Sequence, residues 1–239
     1  RRRHSFPTRR SSDLGGLVGQ SDIALTGLNS SSGLNVSTAA GFAGALRLQG
    51  NSTVTGAVNL VTGSGGFVMD SASQLSVSGA LNLTSQGDVT LSRLSATGDV
   101  VIDATGKTVT DGRAEVAGTA QDTNLKAGSL RIAAASLGSG TDALEVDTLS
   151  LSNLTVTGSA WVDLTTPSIT VGGVATPQTT RLGGMSATQG LTLSALAANL
   201  SLESTVQAAT ITIDARAGNL MMASNASVTS LGNISLAGQ

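Results

Sequence analysis

Residues 79–102 read GALNLTSQGDVTLSRLSATGDVVI, and this stretch decides the fold. Within it, a glycine and one small or polar residue precede an apolar-x-apolar alternation three times, at Leu81/Leu83, Val89/Leu91 and Val100/Ile102. Strict alternation over a few residues is the period of a strand that has one buried face. The glycine supplies the backbone freedom that a sharp corner needs. Each unit is therefore predicted to be a turn followed by a short strand.

The same unit recurs along most of the chain. Further copies begin at Gly44, Gly56, Gly128, Gly218 and Gly232, and looser copies begin at Gly33 and Gly190. Glycine stands before Asp or Asn, which is the reverse of the Asn-Gly or Asp-Gly hairpin dipeptide; only Asp111-Gly112 fits a hairpin. Residues 190–204 can be read as an amphipathic helix, but their Leu-x-Leu alternations favour strands. The pattern predicts an all-β fold, a right-handed parallel β-helix of roughly 8–11 coils.

The composition agrees with such a solenoid. Hydrophobic residues make up 40% of the chain, aromatic residues only 2% and charged residues 12%, and there are 30 glycines and no cysteine. The core must therefore be built from aliphatic side chains, which suit stacked strands. The absence of cysteine excludes disulfides and cysteine-based zinc sites. No apolar run reaches the length of a membrane helix.

Residues 1–14 are separated from the repeat region at 15–239. Residues 4–14, HSFPTRRSSDL, resemble the translation of a high-throughput sequencing adapter, so residues 1–14 are expected to be a disordered artefact. A basic arm for nucleic acid is the alternative. Without these residues, 8 basic and 14 acidic residues remain, which disfavours a nucleic-acid partner. The repeat region is expected to be incomplete at both ends and to continue into further repeats.

Two details of the alternation are specific enough to test. Residues 149–157 read LSLSNLTVT, in which the apolar phase slips at Asn153, so a bulge or corner is expected there. Trp161, the single tryptophan of the chain, is out of phase with Ala160, Val162 and Leu164. It is therefore predicted to lie on the outer face, under the loop that contains Pro167 and Pro177.

The repeats resemble those of filamentous-haemagglutinin-type bacterial adhesins. The resemblance rests on segments such as TGDVVIDA at 97–104, AGNLMMA at 217–223 and LGNISLAG at 231–238. It implies the β-helical shaft of a secreted protein on the bacterial cell surface, exported by two-partner or autotransporter secretion with an outer-membrane transporter as partner. A host-cell receptor or glycan would be its ligand. The chain lacks the Asn-Pro-Asn-Gly signature of the two-partner secretion domain.

The residues themselves indicate no enzyme, and no catalytic, cofactor-binding or metal-binding residue is assigned. The densest acidic stretch, Asp142, Glu145 and Asp147, is interpreted as a solvated outer face, and Asp99 and Asp103 as corner residues. Residues 137–145, LGSGTDALE, resemble one calcium-binding nonapeptide, but calcium repeats bind between tandem copies. The Thr-x-Thr pairs at 53, 108, 155 and 210 are too far apart for a continuous array. A carbohydrate-active β-helix enzyme and a purely structural surface-layer protein remain as alternatives.

Overall fold

The computed structural model describes residues 21–113, 122–167, 169–171 and 174–239, and only the backbone of 169–171, 174 and 175. These residues form an all-β solenoid of stacked parallel strands with about nine turns. The predicted parallel β-helix and its number of coils are confirmed. Residues 1–14, the predicted artefact, lie outside the described residues, as do 15–20 of the repeat region. Within the described part, no helix is long and apolar enough to cross a membrane.

The strands are short and follow one another closely. The first are β1 (Ile23–Thr26), β2 (Asn29–Ser30), β3 (Leu34–Ser37), β4 (Leu46–Gln49), β5 (Asn51–Val54), β6 (Val58–Thr62), β7 (Phe67–Met69), β8 (Gln74–Val77) and β9 (Leu81–Ser85). The next are β10 (Val89–Leu91), β11 (Arg93–Ala96), β12 (Val100–Asp111), β13 (Leu125–Ala127), β14 (Leu130–Leu137), β15 (Leu144–Thr148), β16 (Ser150–Val156), β17 (Ala160–Leu164), β18 (Ile169–Val171) and β19 (Val174–Thr176). The last are β20 (Thr179–Ala187), β21 (Gly190–Ala195), β22 (Asn199–Leu202), β23 (Thr205–Ala208), β24 (Thr210–Ala215), β25 (Leu220–Met222), β26 (Ser227–Ser230) and β27 (Ile234–Ala237).

The strands stack into three parallel ladders, one strand of each per coil. The first ladder contains β1, β4, β7, β10, the end of β12, the end of β14, β17, β21, β24 and β27. The second contains β2, β5, β8, β11, β13 and β15, and is continued by the start of β20 with β22 and β25. The third contains β3, β6, β9, the start of β12, β14, β16, β20, β23 and β26. Among the described strands, only β18 and β19 pair antiparallel.

The register explains the irregular spacing of the glycine-led units. Ile23 pairs with Leu46, Leu46 with Phe67 and Phe67 with Val89, so these coils repeat every 21 to 23 residues. The units belong to different corners of the coil. One set, Gly44, Gly66 and Gly87, precedes the first ladder, and another, Gly33, Gly56, Gly79, Gly98 and Gly128, precedes the third. Within each set the spacing is close to one coil up to Gly79, and it becomes irregular toward Gly128, where the central coils are longer.

The two glycine corners stack backbone directly on backbone. A Cβ added to Gly79 would lie 2.7 Å from the carbonyl carbon of Gly56 in the previous coil. Gly66 has a φ of +78°, and a Cβ there would lie 2.0 Å from the carbonyl oxygen of Asp88. These corners have no room for a side chain, so packing requires glycine at both, and at Gly66 the positive φ favours it as well.

One aliphatic core runs through the solenoid. Its buried residues extend from Val36 to Ala215, and Phe67 is its largest fully buried side chain. The alternation places buried and outward residues in turn, as in β9, where Leu81 and Leu83 are buried and Asn82 is exposed. Burial of each Leu, Val or Ile contributes on the order of 1.5–3 kcal/mol, so the inward side chains supply the main driving force for folding.

The two ambiguous segments of the sequence form strands. The third-ladder pairing of β14 with β16 shifts between Leu130/Leu151 and Arg131/Asn153, which leaves Ser152 as an extra residue. The predicted bulge is therefore confirmed and lies next to Asn153. Residues 190–204 form β21 and β22 rather than a helix.

The central coils differ from the others at three places where the described chain leaves the ladders, called excursions: 112–123, of which 112, 113, 122 and 123 are described, 138–143, and the described part of 167–178. Leu91 and Leu94 pair with Asp111 and Leu125, so the chain leaves the ladders after Asp111. Residues 138–143 separate Leu137 and Leu144, whose partners in the next coil are Ala160 and Val162. The third excursion leaves after Thr166 and returns at Thr180. The hydroxyls of both threonines donate to the carbonyl oxygen of Thr148 at 2.9 Å, which closes the base of this excursion.

Candidate functional site

The acidic stretch is divided by the fold. Glu145 and Asp147 lie on the same side of β15, but Glu145 is fully buried whereas Asp147 is partly exposed. The interpretation of these acids as one solvated outer face is therefore wrong for Glu145. The hydroxyls of Thr123 and Thr165 meet at 2.8 Å, which joins the coils on either side of β15. Asp142 lies in the 138–143 excursion, where its backbone and that of Ser139 exchange two hydrogen bonds.

Asn124, which is fully buried, holds the chain where it returns to the second ladder. Its Nδ2 donates to Asp111 Oδ1 at 2.5 Å, and its Oδ1 accepts from the Glu145 backbone N–H at 2.9 Å. The Asn124 backbone N–H donates to the Glu145 carbonyl oxygen at 3.0 Å. Nδ2 also lies 3.4 Å from the carbonyl oxygen of Ser92 in the preceding coil, so the amide joins three successive coils, which is a structural role.

Two ion-pair clusters lie on the surface of the solenoid. Arg47 Nε and Nη1 lie 3.1 and 2.7 Å from carboxylate oxygens of Asp22 and Asp70, one coil before it and one coil after it. The pKa of Asp22 is lowered, first by the hydrogen bond from the Ala45 backbone N–H and then by Arg47. Both carboxylates raise the pKa of Arg47. These contacts tie neighbouring coils together at an exposed position.

The second cluster joins the 112–123 excursion to the coil below it. Asp122 accepts hydrogen bonds from Arg93, at 2.7 Å, and from Arg113. The guanidinium of Arg93, followed by that of Arg113, lowers the pKa of Asp122. Since Asp122 and Arg93 are both about half exposed, the cluster adds little stability.

An open groove of about 250 Å³ lies beside the base of the 167–178 excursion. Lys126 Nζ and Asp147 Oδ2 form an ion pair of 2.7 Å in it, and Leu149, which is 49% exposed, contributes an apolar wall. Pro167 and Gln178 line it from the excursion. Lys126 precedes Asp147 by 21 positions, about one regular coil, so adding a coil length to each basic position would have found this pair in the sequence.

The groove does not collect the residues that a β-helix enzyme would need. A carbohydrate-active enzyme requires Asp142, Glu145 and Asp147 with a basic residue in one cleft, since acid–base chemistry takes at least two carboxylates at the substrate. Only Asp147 lies in the groove beside a cation. Glu145 is buried and Asp142 lies in a different excursion.

No metal site can be assigned within the described residues. They contain no group of three or more His, Cys, Asp or Glu side chains that could hold an ion. The calcium-like residues 137–145 end β14, form the 138–143 turn and begin β15. Asp103 Oδ1 accepts two hydrogen bonds from Thr105, as expected of a residue at the edge of a turn.

Trp161 lies outward, as predicted. Within β17, it is half-buried between the buried residues Ala160 and Val162. A methyl group on Gly140 would lie 3.5 Å from the indole Nε1, so the ring packs beside the 138–143 excursion. This is the contact that the structure shows, and it differs from the predicted one with the loop of Pro167 and Pro177.

The outward positions next to Trp161 are polar. Trp161 pairs in register with Thr192 of the following coil, which pairs with Thr212 of the next. The sequence pattern singled out Thr212 within a Thr-x-Thr pair, but Thr192 could be placed only once the 31-residue length of this coil was known.

Comparison with known proteins adds no relative: no protein-family model, curated protein or solved structure matches the chain.

Proposed function

We propose that the chain is part of the β-helical shaft of a secreted bacterial surface adhesin, a non-catalytic rod that displays binding segments. The observation that carries this proposal is the third ladder, which is paired from coil to coil between Leu34 and Ser230. An uninterrupted ladder with one core resists bending at any single coil, because each coil contacts both of its neighbours. Stiffness and length are the properties that a shaft requires.

The outer surface supports the same proposal. Outward positions of the regular coils carry short polar side chains, such as Asn35, Asn59 and Asn82 on successive strands of the third ladder. These polar side chains hydrogen-bond to water on the surface of the rod and do not disturb the backbone hydrogen bonds of the ladder. The excursions of the central coils then add local surfaces to a uniform support, as loops on a rigid scaffold commonly do.

The test of this proposal is the location of the protein on the cells that encode it. Antibodies raised against residues 21–239 are applied to intact and to lysed cells, with and without external protease. We expect labelling of intact cells, and its loss after protease treatment. Labelling of lysed cells alone would contradict export.

Function is then tested with the purified rod. It is applied to host cells and, separately, to polysaccharides whose chain length is followed. The shaft hypothesis expects adherence without shortening of any polysaccharide. Cleavage would favour the β-helix enzyme instead, and surface location without adherence would favour a purely structural surface-layer protein.

A further inference from the structure

We propose that the outer face of the first ladder around Trp161 binds a neutral glycan chain laid along the axis of the rod. This proposal rests on the proposed adhesive function and names the ligand class and the site. The site, called the Trp161 platform, consists of two adjacent outward columns. They are Trp161, Thr192 and Thr212, and Asp163, Ser194 and Asp214, and in the second column Ser194 is buried between the two partly exposed carboxylates.

The register places these six residues in a grid. Trp161 pairs with Thr192 and Thr192 with Thr212, while Asp163 pairs with Ser194 and Ser194 with Asp214. Neighbouring coils are about 4.8 Å apart, and residues of one column lie about 7 Å from those of the other because strands rise about 3.4 Å per residue. The platform is therefore a flat surface about two coil steps long, with one aromatic ring at its start.

The 138–143 excursion forms a raised edge beside the ring. Gly140 packs next to the indole Nε1, and the hydroxyls of Ser139 and Thr141 lie 3.3 Å apart in the same turn. Because Gly140 has no side chain, the turn approaches the ring closely and leaves part of it exposed. The edge limits how far a ligand extends past Trp161 toward the preceding coils.

The chemistry of the platform matches a sugar chain. A sugar ring has an apolar face of C–H groups, which packs on an indole, and a rim of hydroxyls, which bond to hydroxyls and carboxylates. The platform supplies an indole, the hydroxyls of Thr192 and Thr212, and two carboxylates. Its coil spacing is close to the length of one sugar unit in an extended chain, so successive units would meet successive coils.

The charges of the platform disfavour anionic glycans. Asp214 is paired with Arg216 at 3.4 Å, whereas Asp163 makes no salt bridge with any residue that the structure describes. The face therefore keeps negative charge, which repels sulfated or uronic-acid chains. This argument selects a neutral chain as the ligand.

Fluorescence offers a direct measurement, because the chain has one tryptophan and no tyrosine. Emission of the full chain is recorded during titration with cellohexaose, chitohexaose and a heparin hexasaccharide. We expect a saturable change of Trp161 emission with at least one neutral probe and none with heparin. No change with either neutral probe, or a change with heparin alone, would overturn the proposal.

Variants locate the binding by calorimetry with the neutral probe that responds. Trp161→Ala is expected to weaken binding about tenfold, since an aromatic contact adds about 0.5–1.5 kcal/mol to the burial of its area. Thr192→Val, which removes one hydroxyl at constant volume, is expected to weaken it about threefold to tenfold. Thr84→Val, at an exposed position of β9, is the matched control and is expected to bind normally.

Circular dichroism of each variant confirms that the solenoid is folded, and Thr192→Val tests the platform even if Trp161→Ala does not fold. Unchanged affinity of folded Trp161→Ala and Thr192→Val would overturn the site. The location of the protein on intact cells is measured independently. Surface labelling without glycan binding would therefore remove this inference and leave the proposed function standing.

Discussion

The regular coils before Ala104 and the central coils after it share one backbone ladder but present different surfaces. In the regular coils, the ladders follow one another through tight corners, and the surface charges are few, as in the Asp22–Arg47–Asp70 cluster. In the central coils, three excursions lie beside charged and aromatic residues, among them Asp122 within the first excursion and Lys126 and Trp161 on adjacent strands. The comparison shows that a solenoid can add local surfaces at its corners without interrupting its strands.

The largest expected effect tests whether both regions share one kind of core. Phe67→Ala in the regular coils should destabilise the protein by about 3–5 kcal/mol, and Leu154→Ala in the central coils by about 2–5 kcal/mol, because both side chains are buried. Urea unfolding followed by circular dichroism measures both. A loss below about 1 kcal/mol for Leu154→Ala alone would show that the central core is looser. Thr84→Ala is the exposed control.

The corners give the next effect. Gly66→Ala should destabilise the protein by more than about 2 kcal/mol, because positive φ and a collision with Asp88 act together. Gly106 also has positive φ, +75°, but a Cβ there meets nothing within 4 Å. Gly106→Ala should therefore cost only about 1 kcal/mol. If Gly66→Ala and Gly106→Ala lost equal free energy of unfolding in urea, the stacked corner at Gly66 would be no more tightly packed than β12 around Gly106.

The base of the 167–178 excursion should show a smaller effect. Thr180→Val removes one of two hydroxyls that donate to the Thr148 carbonyl, and Thr166 keeps the other bond. We expect a loss of about 1 kcal/mol, read from the urea midpoint. The double variant Thr166→Val/Thr180→Val leaves this carbonyl without either hydroxyl and should lose more than the sum of the single variants. An additive or neutral double variant would show that the excursion does not depend on this closure.

Acidification should have the smallest effect on thermal stability, and part of that effect should come from Asp122. The pKa values of Asp22 and Asp122 are lowered below the ordinary 3.8. Their stabilisation is therefore complete above that value and is lost as pH falls through the folded-state pKa. We expect the melting temperature to decrease slightly below about pH 4 and less in Asp122→Asn. A melting temperature that rises on acidification, or an identical profile in Asp122→Asn, would contradict this.

The regular coils could be predicted from the sequence almost completely. Alternation such as Leu81-Asn82-Leu83 fixes which side chains are buried, and glycine marks the corners. The same local signal worked once in the central coils: the phase slip at Asn153 located the bulge, because a change of one residue inverts the buried face. These signals are local, so they can be read from the sequence without knowing the length of a coil.

The central coils could not be predicted in the same way. Glu145 alternates as an outward residue and is nevertheless buried, and Thr123 and Thr165, 42 residues apart, meet between the neighbouring coils. Pairing of Trp161 with Thr192, 31 positions apart, likewise depends on the length of the excursion between them. That length is set by three-dimensional closure of the ladder and leaves no periodic signal.

The glycine corner before the third ladder has a consequence for how such a protein changes its length in evolution. Gly56, Gly79 and Gly98 meet through nearly the same backbone contact at each step. Duplication or deletion of a segment that runs from one of these glycines to the next therefore recreates the same joint and needs no compensating substitution. Such a rod can grow or shrink by whole coils, in increments of about 4.8 Å, while the surfaces on either side stay intact.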